Sequence, residues 1–129
     1  MATFTIQTVP GALFATAPAI PGGPIQFIAQ NNFPNQQWVL TPAGLTQIEN
    51  VDFPGPGFAS VVGPGVVDEL VNVGPAPRNW FIAAAGGGST IRLADAEPFL
   101  FWALNDDDEA ILVAAPAAIF NIVPVPFPG

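Results

Sequence analysis

Few residues in this chain can do covalent chemistry. Ten Asp and Glu stand against two arginines, Arg78 and Arg92, and there is no Cys, His, Tyr or Lys. Without His and Cys there is no Ser-His-Asp triad, no thiol nucleophile and no common zinc ligand set. Without Lys there is no Schiff base and no Walker-type phosphate loop. Two cations cannot neutralise a nucleic-acid backbone, so a nucleic-acid partner is not expected. Carboxylates alone leave two options, a glycosidase pair or a Ca²⁺ site. The densest group, Asp106-Asp107-Asp108-Glu109, lies between Leu104 and Ile111. Calcium loops space their ligands, whereas four adjacent carboxylates in a tight turn diverge, so this run reads as a solvated hairpin turn. No carboxylate recurs at matching positions of the repeat described below. The chain therefore reads as a non-enzyme with no cofactor and no metal.

Binding is the chemistry that remains. Amide and ring side chains gather at Asn35-Gln36-Gln37-Trp38, with Trp102 and the Asn31-Asn32-Phe33 loop as further ring-bearing candidates. Two proline-rich loops are shaped for contact with a protein: 18–24, carrying Ile20 and Pro21, and 52–57, carrying Asp52, Phe53 and Pro54. Proline restricts the unfolded chain and pre-shapes a loop for binding. Neither loop holds Lys or Arg, so a protease that cuts after basic residues is a poor target. An apolar residue such as Ile20 or Phe53 is the better candidate for insertion.

The elements that must carry these residues read as short strands. Pro and Gly, 16 and 13 of them in 129 residues, interrupt the chain too often for helices. Between them lie runs rich in Val, Ile, Phe and Thr. Four such runs recur three times in one order, with a period of about 42 residues. Thr5-Ile6-Gln7, Gln47-Ile48-Glu49 and Thr90-Ile91-Arg92 each set an Ile between polar neighbours, as a half-buried strand requires. Leu13-Phe14-Ala15, Gly57-Phe58-Ala59 and Leu100-Phe101-Trp102 form the second set, and Phe27-Ile28, Leu70-Val71 and Leu112-Val113 the third. Trp38-Val39-Leu40, Trp80-Phe81-Ile82 and Phe120-Asn121-Ile122 form the last. A propeller needs at least four blades, and solenoids usually run longer. Three units of four strands predict an all-β, twelve-stranded β-trefoil in one domain, 1–129, with repeats of about 1–44, 45–87 and 88–129. Trp38, Trp80 and Phe120 would plug the barrel together with Ile6, Ile48 and Ile91.

The Gln36-Gln37-Trp38 segment resembles the Gln-x-Trp repeat of ricin-B-type trefoils. The later copies have drifted to Arg78-Asn79-Trp80 and Ala118-Ile119-Phe120. The Trp, Trp, Phe series, Val67-Asp68-Glu69-Leu70-Val71 with Asn79-Trp80, and Ile119-Phe120-Asn121-Ile122-Val123 are similar to the mushroom β-trefoil protease inhibitors. The first resemblance implies a sugar site in which Asn35, Gln36 and Trp38 take part. The Asp that ricin-type sites carry early in a repeat is missing from Gly11-Ala12-Leu13-Phe14-Ala15-Thr16 and from the stretches around Phe58 and Phe101. The second resemblance implies a protein partner, a protease.

Composition points to a protein partner as well. Charged residues make up 9% of the chain, against about 25% in ordinary domains. Apolar residues must then occupy much of the surface, which suits a small accessory subunit of a larger secreted enzyme such as a fungal oxidase. Segments 98–102 and 123–128 are candidate contacts. The expectation is therefore a protein-binding trefoil, with a carbohydrate-binding lectin as the alternative. No run is long and apolar enough for a membrane helix. No basic region precedes an apolar one at the start, so the reading is a cytoplasmic chain, or a secreted one whose leader precedes this sequence.

Overall fold

The computed structural model describes residues 3–9, 13–20, 22–31, 33–43, 45–51, 57–63, 65–94, 99–114 and 118–125, without the side chains of 41–43, 45 and 85. Pro21, Asp52, Phe53 and Pro54, named above as binding candidates, lie outside the described residues.

The described residues form twelve strands, four to each repeat. The first repeat holds β1 (Phe4–Thr8), β2 (Phe14–Thr16), β3 (Gln26–Ile28) and β4 (Trp38–Ala43). The second holds β5 (Leu45–Asn50), β6 (Phe58–Ser60), β7 (Asn72–Gly74) and β8 (Trp80–Ala85). The third holds β9 (Gly88–Leu93), β10 (Phe101–Leu104), β11 (Ala110–Val113) and β12 (Phe120–Pro124). Strands β1, β4, β5, β8, β9 and β12 pair in a closed antiparallel ring. The three remaining hairpins, β2–β3, β6–β7 and β10–β11, are the caps. This is the barrel and hairpin arrangement of the β-trefoil that the repeat predicts.

The pseudo-threefold is visible bond by bond. Each repeat enters the barrel at the same register, Phe4 opposite Trp38, Thr46 opposite Trp80 and Ser89 opposite Phe120. The caps meet in a cycle of backbone hydrogen bonds. Ile25 N–H donates to Val71 O (2.8 Å), Val71 N–H to Ala110 O (2.9 Å) and Ala110 N–H to Ile25 O (2.9 Å). These three residues are fully buried, so each bond satisfies groups that have no access to water.

The repeated apolar positions form one core. Ile6, Ile48, Ile91, Trp38, Trp80 and Phe120 all have zero exposure and belong to a single cluster. The indoles also donate: Trp38 Nε1 to Ala15 O (3.1 Å) and Trp80 Nε1 to Ala59 O (3.0 Å). The third repeat solves the same packing problem differently. Cross-strand register places Ala15 opposite Phe27, Ala59 opposite Val73 and Trp102 opposite Leu112, so Trp102 occupies the position of the two alanines. The smaller Phe120 on β12 leaves room that the larger Trp102 fills. Their rings meet edge to face at 6.1 Å, and Trp102 meets Trp80 the same way at 5.6 Å. The exchange costs a hydrogen bond, because buried Trp102 Nε1 has no acceptor among the described residues.

That difference is measurable. Trp102→Phe and Trp80→Phe both remove an indole from the core, but only the second breaks a hydrogen bond. We expect Trp80→Phe to be more destabilising by about 1–3 kcal/mol, since it strands a buried carbonyl while the other change relieves a stranded N–H. Chemical denaturation of the two variants checks the order.

The sequence misplaces one strand. Leu70-Val71 is not the counterpart of Phe27-Ile28; β7 begins at Asn72, and Val73 takes the place of Phe27 and Leu112. Leu70 makes an isolated bridge to Ile111 instead. The preceding loop shifts the phase. Glu69 holds it by accepting from Gly63 N–H (2.8 Å) and Val66 N–H (3.0 Å), and Asp68 adopts a left-handed φ of 70°. The acidic run does form the turn between β10 and β11. Asn105 Oδ1 accepts from Asp107 N–H (2.9 Å) and Glu109 N–H (3.0 Å), and Asp106, Asp107 and Asp108 are exposed.

Candidate functional site

The site grows from the short 3₁₀ turn Pro34–Gln36, which leads into β4. Pro34 suits the first turn because its fixed φ is already helical and its missing N–H would lack a partner there. The turn closes with Gln36 N–H donating to Phe33 O (3.1 Å) and Gln37 N–H to Pro34 O (2.9 Å).

Gln36 points inward, at 2% exposure. Its Oε1 accepts from Asn31 N–H (2.9 Å), and its Nε2 donates to Thr16 Oγ1 (3.0 Å) and Ala29 O (3.0 Å). Thr16 passes the chain on, donating to Phe14 O (2.9 Å). One buried amide thus ties the loop after β3 to β2. Asn31 stiffens that loop, accepting from Phe33 N–H (2.8 Å) and donating to Asn35 Oδ1 (3.2 Å). Asn50 Nδ2 donates to Asn35 O (3.0 Å) and Gln37 O (3.2 Å), anchoring the turn to β5. The outcome is a rigid loop that holds Phe33 out to solvent at 63% exposure.

Between this loop, β1 and the end of β12 lies an open pocket of about 250 Å³. Phe14 and buried Gln36 line it together with Thr5 and Gln7 of β1. Gln30, Phe33 and Gln37 come from the loop and turn, and Val123, Pro124 and Val125 close the far side. Gln7 Nε2 donates to Thr5 Oγ1 (2.9 Å). The amides of Gln30 and Gln37, and Oε1 of Gln7, have no hydrogen-bond partner among the described residues. None of the described residues that line the pocket is charged. It offers three amides and a hydroxyl beside an exposed ring, chemistry that fits a neutral ligand with several hydroxyls and an apolar face.

The other repeats do not reproduce this lining. Gln7 sits opposite Phe14, Glu49 opposite Phe58 and Arg92 opposite Phe101, so the same register carries an amide, a carboxylate and a guanidinium in turn. Two residues before the barrel aromatic, Gln36 is replaced by Arg78, whose Nη1 donates to Val61 O (3.4 Å) and Gly63 O (3.2 Å).

The residues nominated from the sequence fall in different places. Trp38 and Trp102 have zero exposure, so neither can lie against a sugar, and Gln36 reaches the pocket wall with its Oε1 and Nε2 already bonded within the protein. Burial in the barrel and cap overrides the ligand role that the resemblance implies for Gln36 and Trp38. Asn35 is half-buried, with its side chain bonded to Asn31. Phe33 alone of the ring candidates stands at a pocket. Gln37 lies inside the segment named from the sequence, but Gln7 and Gln30 carry no such mark, because a lone Gln on a strand or turn is indistinguishable in sequence from a solvated one. Ile20 is 68% exposed and Val62 86%. A second cleft of about 250 Å³ is lined by Gly22, Val61, Val62, Val73, Pro75 and others.

No family model and no curated protein matches the sequence. Solved structures do match its shape. The Rhizoctonia solani agglutinin superposes with a TM-score of 0.82 at 18% identity, over 94% of this chain and 93% of that one. The designed three-fold symmetric protein ThreeFoil gives 0.78 at 12% identity, over 94% and 97%. The Macrolepiota procera ricin B-like lectin in complex with lactose gives 0.70 at 14% identity, over 93% and 84%. At such low identity the likeness defines the architecture: this chain is a β-trefoil.

Proposed function

We propose that the protein is a non-catalytic carbohydrate-binding trefoil whose sugar site is the pocket beneath Phe33. The observation that carries this reading is the convergence of the unbonded amides of Gln30 and Gln37 and the free Oε1 of Gln7 on one pocket with an exposed aromatic ring and no charge among its described residues. Amides both donate to and accept from hydroxyls, and the ring covers the apolar face of a pyranose. An agglutinin and a lactose-bound lectin among the structures of the same shape support it. The buried network around Gln36 supplies the pre-organisation that keeps a small ligand's binding cost low.

The test is Phe33→Ala assayed against lactose by calorimetry. Phe33 is mostly exposed, so its removal should leave the melting temperature nearly unchanged. We expect lactose affinity to fall at least about tenfold, ~1.4 kcal/mol. Unchanged affinity would remove the pocket from the account.

A protein-binding role, as a protease inhibitor or an accessory subunit, is a second reading. What favours it is exposed Val62 on the second cleft together with exposed Ile20 on the loop that leads to it at Gly22, apolar surface of the kind that marks protein contacts. Association lost on Ile20→Asp but kept on Phe33→Ala would support this role over the glycan one.

A further inference from the structure

We propose that Arg92, clamped between the rings of Phe81 and Phe99, receives the carboxylate of an acidic monosaccharide unit. The inference rests on the carbohydrate-binding reading above and adds a second site of different ligand chemistry. Arg92 on β9 lies directly across from Phe81 on β8, and its guanidinium carbon sits 4.5 Å from that ring's centroid and 4.0 Å from the centroid of Phe99. Phe99 is itself braced edge to face by Phe101 at 6.4 Å. The rings hold the guanidinium by its flat faces. Its N–H edge has no acceptor among the described residues.

A guanidinium held this way has lost much of its rotamer freedom before a ligand arrives. Its rigid fork of donors matches a carboxylate bidentately, where a lysine would offer only a point charge. Phe81 and Phe99 are 38% and 51% exposed, leaving ring surface for the body of the ligand. The position argues for a sugar. Arg92 faces Phe101 as Gln7 faces Phe14, so the clamp is the third repeat's counterpart of the pocket wall in the first. Charge argues for one carboxylate and against a polyanion, because the chain carries a net charge of −8 and would repel a densely charged ligand.

The experiment compares methyl β-glucuronide with its uncharged methyl ester, by calorimetry at low salt, on wild type, Arg92→Gln and Arg92→Lys. The acid should bind wild type about tenfold more tightly than the ester, as expected for one charge-assisted bidentate pair. That preference should vanish in Arg92→Gln and be only partly kept in Arg92→Lys. On wild type, the Arg92 Nε–H resonance should shift with the acid and stay still with the ester, a readout that needs no variant to fold. Equal binding of acid and ester, or a preference that survives Arg92→Gln, overturns the proposal. Lactose titrated into the same wild-type sample separates the failures. Lactose binding without acid preference removes only the Arg92 site, and silence to lactose and to both glucuronides removes the sugar-binding reading along with it.

Discussion

Replacing Trp80 with alanine is expected to destabilise the protein by about 3–5 kcal/mol, the range for deleting a buried large aromatic. Trp80 has zero exposure, packs edge to face on Trp102 at 5.6 Å and donates Nε1–H to Ala59 O at 3.0 Å. The alanine variant loses the apolar burial, opens a cavity between barrel and cap, and strands the Ala59 carbonyl. A domain of this size has a total stability of about 5–15 kcal/mol, so much of the margin goes with one side chain. The backbone compounds the effect, because Trp80 is where β8 joins the barrel at Thr46. Urea unfolding followed by far-UV circular dichroism measures it without relying on the deleted fluorophore. A midpoint equal to wild type would mean that the barrel does not close around these rings.

Gln36→Ala should cost about 2–4 kcal/mol, more than any exposed polar residue would. Three hydrogen bonds go, each worth about 1 kcal/mol net, and the buried Thr16 Oγ1 and the carbonyl of the more exposed Ala29 lose the amide that serves them. The same change should weaken sugar binding although Gln36 is enclosed. Without the amide, the loop carrying Gln30 and Phe33 is no longer tied to β2 and must be ordered by the ligand. Gln36→Ala therefore lowers both the unfolding midpoint and lactose affinity, whereas Phe33→Ala lowers affinity alone. An alanine variant as stable as wild type would show that the Asn31–Gln36–Thr16 network is not what fixes the loop.

The architecture was legible because its signals are local and repeat. Ile6, Ile48 and Ile91 announce strands by their polar neighbours, and the aromatic at the start of β4, β8 and β12 keeps its phase. The second-repeat cap strand does not fall at Leu70, as the period suggests, because the loop pinned by Glu69 shifts the pattern, and a short apolar pair holds no register of its own. The burial of Trp102 is readable only through pairing. Ala15 and Ala59 become Trp102 in the same repeat in which Trp38 and Trp80 become Phe120, a size exchange that shows once register is known. The pocket was hardest to foresee. It joins β1, the turn before β4 and the far end of the chain at Val123, and only closure of the barrel by the β1–β12 pair brings these together. Phe33 and Gln37 can be named from their loop and motif, but their partners Gln7 and Gln30 carry no local mark.

The proposed function turns on whether the Phe33 pocket holds a neutral sugar. An amide-resolved NMR titration of the intact protein with lactose tests it most directly. Fast-exchange shifts are expected to concentrate at Thr5, Gln7, Gln30, Phe33 and Gln37, with the side-chain amides of the three glutamines among the most strongly perturbed. A spectrum that stays still throughout, or one that moves around Ile20 and Val62 instead, would contradict it.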